Sequence, residues 1–298
     1  MKKEIDGVPF EIKSDFDFGW LGTYGKVFCV FDQQDSGNIC FGACKDDRKV
    51  FVKVAGASTK EYDGDPIEAV VRLKAAMPVY EHIRHPNLIR LLDHYDIKGG
   101  YVAVFEWADG ECLHAHWDFE RYPKYTHPQS PSFKFRQLRL RRKLDCLDAV
   151  FSLHEEVARC GYVAVDLYDG SIMYDFDRHK TTVFDIDFYA KKPCVNTMGR
   201  MWGSSRFMSP EEFELGATID EVTNVFAMGA LAFELLGKNP ERSREQWTAS
   251  ESLFRVAARA TNPDREHRYR SITELHKVWK DAARNLGPDR GCLTCPQP

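Results

Sequence analysis

The 298-residue chain changes character partway along, and that change limits its architecture more than any single motif does. Over the first 107 residues the apolar positions fall in short runs rich in β-branched and aromatic side chains: "KVFCVFD" (26–32), "NICFGAC" (38–44), "KVFVKV" (49–54) and "YVAVFEW" (101–107). The turn-forming stretches "QQDSG" and "KDDR" separate the first three, so these segments read as strands. One helix interrupts them. "DPIEAVVRLKAA" (65–76) opens on an N-cap Asp65 with Pro66 at the first helical position, and Pro78 is expected to break or kink it. Later the period lengthens. Leu140, Leu144, Leu147, Phe151 and His154 recur every three or four residues, which buries one face of 136–157. A strand pair, "SIMYDF" and "TTVFDI" around "DRHK", follows, and residues 220–285 are again helical in pattern. The polar, aromatic and Pro-bearing stretch 114–133 reads as a loop. A sheet with one helix, followed by mainly helical chain, is an α+β arrangement.

Composition excludes several classes. Lys and Arg total 41 against 45 for Asp and Glu, a net charge of −4, so neither a nucleic-acid coat nor an anionic-membrane binder is indicated. "MKKEIDGVPF" lacks the apolar stretch of a secretory signal, and the longest apolar run, "VFAMGALAF" (225–233), is far short of a bilayer span. A cytoplasmic protein with its nine cysteines as thiols is expected. Cys292 and Cys295 form a CxxC in the tail, but a structural zinc site needs four ligands. Cys40 and Cys44 are the conceivable completing pair, and they fall in a strand. The basic stretch "KFRQLRLRRK" (134–143) lies largely off the apolar stripe and reads as a solvated helix face.

The stretches "VAVDLYDGSIMYD" (163–175), "GSSRFMSPEE" (203–212), "NVFAMGALAFELL" (224–236) and "ATNPDREHRYRSITEL" (260–275) follow one another in an order that, over residues 20–280, resembles the protein kinase superfamily. "GSSRFMSPEE" (203–212) resembles the end of an activation segment, "NVFAMGALAFELL" (224–236) the helix that follows, and "ATNPDREHRYRSITEL" (260–275) the late pattern whose buried arginine, here Arg268, pairs with Glu211. "VAVDLYDGSIMYD" (163–175) is similar to the catalytic loop H-R-D-L-K-P-x-N. The resemblance makes Asp166 the catalytic carboxylate and sets Ala164, Val165, Tyr168 and Ser171 where His, Arg, Lys and a magnesium-binding Asn are usual. Ser204 maps to the Thr that steadies that aspartate. "VFDIDFY" (183–189) offers two metal carboxylates. Spacing from Ser171 favours Asp185, spacing back from Glu211 favours Asp187, and Asp185 ranks slightly ahead.

"FVKV" resembles V-A-I-K, with Lys53 as the phosphate-gripping lysine. A lysine among apolar residues on a central strand needs an anionic partner, whereas on an edge strand it needs none. Glu68 on the following helix is the expected carboxylate partner of Lys53, since Glu81 comes after Pro78. "VFEWADGECL" (104–113) resembles the hinge, with Glu106 and Ala108 holding adenine and Phe105 behind it. Two stretches compete to cover the phosphates. Gly25 of "GTYGKVF" lies 28 residues before Lys53 and Gly37 lies 16 before it, against a family spacing of about 17. The turn with Asp35, Ser36, Gly37 and Asn38 is therefore favoured.

The resemblance implies a bilobal fold: a sheet-rich N-lobe with hinge (1–108), a mainly helical C-lobe (109–285) and a tail (286–298). It further implies an ATP- and Mg2+-dependent phosphotransferase of eukaryotic-like Ser/Thr protein kinase type, acting on a protein substrate and on neither nucleic acid nor membrane. The replaced catalytic-loop residues support a pseudokinase as the alternative. "DID" and the position of Glu68 support a small-molecule kinase as a third reading.

Overall fold

The computed structural model describes residues 1–284, so the CxxC of Cys292 and Cys295 lies outside the described residues. Among the described residues two compact units are formed: residues 1–124 with 170–189, and residues 125–169 with 190–284. The element order is α+β, with strands dominating the first part and helices the second.

The first unit opens with a hairpin of β1 (Lys2–Ile5) and β2 (Val8–Glu11). Its turn is Asp6-Gly7, both at positive φ, the geometry that matches strand twist in a two-residue loop. The main sheet is antiparallel and five-stranded: β3 (Lys26–Phe31), β4 (Asn38–Lys45), β5 (Arg48–Ala55), β6 (Leu91–Ile97) and β7 (Gly100–Glu106), in spatial order β3-β4-β5-β7-β6. The three strands expected over 26–54 are present, and β6 is an addition. No residue of it is fully buried, as suits an edge strand, and it lacks the continuous apolar run that marks the inner strands. Phe10, Ile12, Phe18 and Leu21 pack with Val27, Ile39, Phe41, Val52, Val54, Val102 and Val104 as one core.

The helix α1 (Pro66–His82) packs on β5 and β7. Asp65 caps it as expected, its side chain accepting from Ile67 N at 2.8 Å. The helix does not break at Pro78, and Ile83 N still reaches Val79 O at 3.0 Å. Pro78 is exposed, so its ring meets no packed neighbour, while Ala69, Leu73, Ala76, Met77 and Tyr80 are buried beneath the sheet. Burying that stripe outweighs one missing N–H. The strand pair 172–175 and 180–183 forms the expected hairpin, and residues 111–112 add a third strand to it.

The second unit is mainly helical: α2 (Pro131–Arg136), α3 (Leu140–Arg159), α4 (Glu221–Leu236), α5 (Glu251–Ala260) and α6 (Ile272–Arg284). Within the stretch read as a loop, Pro131 starts a short helix by supplying a preset φ at N1. Leu144, Leu147, Phe151 and His154 are buried on α3, as their spacing predicts. Among the described residues no helix is long and apolar enough to cross a membrane.

Arg268 locks this unit. It is 1% exposed and grips Glu211 with both ends of its guanidinium, at 2.7 and 3.0 Å. Its remaining donors reach the carbonyls of Asn262 and Pro263 at 2.7 and 3.1 Å. The pair expected from the late motif is formed. Arg268→Ala would leave Glu211 charged and buried, so unfolding in urea should show a loss of about 3–5 kcal/mol. Replacing both partners with apolar residues of similar volume should recover part of that loss.

Candidate functional site

Lys53 lies on β5, opposite Cys40 of β4 and Ala103 of β7, so it is on an inner strand and 8% exposed. The edge-strand alternative is thereby excluded. Its ammonium lies 2.8 Å from Asp187 Oδ2 and 3.5 Å from Asp185 Oδ1. Burial opposes its charge, but the two carboxylates outweigh burial and hold it above the usual lysine range. Both aspartates follow the strand 180–183, so the hairpin delivers them to the sheet within one unit.

Glu68 is elsewhere. It is exposed and accepts from Tyr62 Oη at 3.4 Å, so the expected pair with Lys53 is not formed. The reason is helical phase. Ala69, Leu73, Ala76 and Tyr80 form the buried stripe, and Glu68 is one residue, about 100°, off it. Arg72, one turn on from Glu68, bonds Tyr62 Oη at 3.2 Å and Ser36 O at 2.7 Å. What the stripe presents to the aspartates is Tyr80, 2% exposed, whose hydroxyl donates to Asp187 Oδ1 at 2.8 Å and accepts from Ile186 N at 3.1 Å. Neither Tyr80 nor Arg72 was singled out from sequence. The spacing 69, 73, 76, 80 is the signal that could have found Tyr80.

The two glycine stretches stand at opposite ends of β4. "GWLGTY" (19–24) is a 3-10 turn, and Gly25 packs so tightly on the Cys44–Lys45 end that a Cβ would meet Cys44 O at 2.2 Å. The turn before β4 is the one near Lys53, since Asn38 faces Ala55, two residues from Lys53. Gly37 has φ +78, and a Cβ there would come within 2.7 Å of the Tyr62 ring. Ser36 Oγ accepts from Asn38 N and Nδ2 at 3.4 and 3.3 Å, Asn38 is buried, and Asp35 is exposed. Phe105 is 1% exposed at the end of β7, its ring 4.9 Å from that of Tyr80. Glu106 is ion-paired with Arg90, and Ala108 is half-buried just beyond.

This donor set suits magnesium nucleotide chemistry. Magnesium takes one or two protein carboxylates and completes its shell with phosphate and water. Asp185 and Asp187 are such a pair, and among the described residues no group of three or more His, Cys, Asp or Glu side chains forms an all-protein cage. Ser171 is 1% exposed, and its carbonyl accepts from Phe184 N at 3.0 Å. Cys40 is buried, with its thiol pushed up to about 12 by burial, which suits packing rather than metal binding.

In the second unit Asp166 has φ +61, a conformation costly for a non-glycine residue. Its loop is held from α4. Asn224 Oδ1 accepts from Ala164 N and Asn224 Nδ2 donates to Ala164 O, both at 2.7 Å. Ala164 and Val165, at the His and Arg positions, are buried apolar packing. Asp169 is 1% exposed and ion-paired with Arg206 at 2.9 Å, which ties the catalytic-loop stretch to 203–212. Asp166, Gly203, Ser204, Glu212 and Asn224 share the wall of one small cavity.

Glu212 is 5% exposed and accepts from Ser209 N and Oγ at 2.7 and 3.0 Å. Burial pushes its carboxyl up to about 7 from an ordinary 4.5. Between those values the native state holds a proton that the unfolded chain has released, so this residue's contribution to stability falls as pH rises. Relative to Glu212→Gln, the wild type should lose about 3 kcal/mol between pH 4 and 8, measured by urea unfolding at each pH.

No family model matches the chain. Among curated proteins, it is similar to LysM domain receptor-like kinase 10 of Oryza sativa subsp. japonica, 24% identical over 274 residues covering 87% of this chain and 41% of that protein. It is also similar to the probable serine/threonine-protein kinase PknB of Lactococcus lactis subsp. lactis, 22% identical over 82% of this chain and 39% of the relative. Aurora kinase B of Xenopus tropicalis is 21% identical over 74% of this chain and 53% of its own length. The chain thus spans between about two-fifths and about half the length of these relatives. These relatives, all at low identity, indicate the protein kinase superfamily as what the chain is similar to.

Proposed function

We propose that the chain is an ATP- and Mg2+-dependent phosphotransferase that moves the γ-phosphoryl group of ATP to a Ser or Thr hydroxyl of a protein. The carrying observation is the buried Lys53 ammonium, kept charged beside Asp185 and Asp187. A positive charge so costly to bury is accounted for by polyphosphate binding better than by packing. The backbone at Glu106 and Ala108, with Phe105 behind, would take adenine, and the turn Asp35–Asn38 would cover the phosphates. Magnesium would be held by a carboxylate of the turn that carries Asp185 and Asp187, and would supply neutralisation of phosphate charge. The acceptor hydroxyl oxygen forms a bond to the γ-phosphorus as the bond to the β,γ-bridging oxygen breaks. Asp166 takes the hydroxyl proton, ADP leaves, and Ser204 steadies Asp166. The name of one relative, a probable serine/threonine-protein kinase, supports a protein acceptor.

A second reading, a nucleotide-binding module without transfer, is favoured by the burial of Ser171 at the position of the second metal ligand. The two are separated by incubating the protein with labelled ATP, Mg2+ and a general protein acceptor. Transfer is expected, falling by about 100-fold or more in Lys53→Met and Asp166→Asn. ATP that raises the melting temperature without any transfer would overturn the enzyme reading. Transfer only to an added metabolite would overturn the protein acceptor.

A further inference from the structure

The helix beneath the sheet offers Lys53 no carboxylate. Of the two glutamates on α1, Glu68 is turned to Tyr62, and Glu81 is exposed and bonded to His94 at 3.2 Å. The buried stripe is uncharged, and Tyr80 is the member of it that bonds the aspartate turn. The two aspartates, in turn, are placed unequally. Asp187 has a side chain 9% exposed with both oxygens engaged, Oδ2 by Lys53 at 2.8 Å and Oδ1 by the Tyr80 hydroxyl at 2.8 Å. The Asp185 side chain is 42% exposed, and its contact with Lys53 is a longer 3.5 Å. A carboxylate with each oxygen already bonded to a buried donor is the poorer metal ligand, because an ion at either oxygen must share or displace a hydrogen bond already made. The Asp185 side chain, more exposed and with its Lys53 contact the longer one, has less to give up.

We propose that the two aspartates divide the work: Asp187, fixed by the Tyr80 hydroxyl, is the positioning residue that holds the Lys53 ammonium, and Asp185 is the carboxylate that takes magnesium. This rests on the kinase reading given above. It makes Tyr80 the means by which α1 sets the position of Lys53, in place of a helix glutamate. The Ile186 N–H bond to the same hydroxyl holds the turn between the two aspartates, so the hydroxyl joins the helix to the turn and Asp187 joins the turn to Lys53.

The test is the Mg2+ requirement for binding a fluorescent ATP analogue to the full chain, measured alongside kcat and KM. Asp185→Asn should raise the half-saturating Mg2+ concentration by about tenfold or more, through loss of a hard anionic ligand. Asp187→Asn should leave that concentration within about threefold and lower kcat by about tenfold or more with little change in KM, the pattern of lost positioning. Tyr80→Phe keeps the ring against Phe105 and removes only the hydroxyl. It should repeat the Asp187→Asn pattern more weakly, and it carries the same expectation should Asp187→Asn fail to fold. A Mg2+ requirement raised by Asp187→Asn and not by Asp185→Asn, or by neither, would overturn the division while leaving the kinase reading intact. A wild-type chain that binds no nucleotide would overturn both.

Discussion

A lysine ammonium on an inner strand of a sheet is the constraint on which the first unit turns. Taking that charge out of water costs several kcal/mol unless anions accompany it. The chain meets the cost with two aspartates from the turn after the strand 180–183, which is why a segment beyond residue 169 packs with the N-terminal sheet. Tyr80 then ties the helix α1 to the same turn. Sheet, helix and turn are thus bound through three side chains, and any shift of one of them moves the ammonium.

The second unit solves a comparable problem at a different place. Arg268 is buried with Glu211 and three backbone carbonyls around it, so its charge and most of its donors are met. The loop carrying Asp166 is held by an amide, Asn224, which can donate to a carbonyl and accept from an N–H at once, as a carboxylate could not. Where the kinase pattern has His and Arg, the apolar Ala164 and Val165 fill the core. The Asp169–Arg206 ion pair supplies a charged link between this loop and residues 203–212.

Much of this was legible from residue order. The strands of 26–54 and 101–107, the Asp65 cap, the stripe of α3, the 172–183 hairpin and the Arg268–Glu211 pair all follow from patterns local enough to read. Some of what was passed over was equally local. The Asp6-Gly7 turn of the first hairpin is a strong short-range signal, and the positions 69, 73, 76 and 80 mark the face of α1 that carries Tyr80. The β6 strand was not so marked, because an edge strand need not be continuously apolar. Pro78 misled for an energetic reason: a local rule about one lost hydrogen bond was overridden by packing along the whole buried face of α1.

By itself, the sequence determined that Lys53 would need an anion if its strand were an inner one, because its neighbours are apolar and a buried charge cannot go unpaired; the sheet order then showed that it is. Residue spacing also favoured the Gly37 turn over Gly25 as the stretch to cover the phosphates, since a single hairpin accounts for 16 residues and 28 require another element; the structure puts that turn at the Lys53 end of β4. Which anion answers Lys53 was decided only by tertiary structure. A rotation of about 100° per residue on α1 turns Glu68 away from the sheet, and no count along the chain reports that phase. Asp187 lies 134 residues from Lys53 in sequence, and only the packing of the later hairpin against the sheet brings the two charges within 2.8 Å.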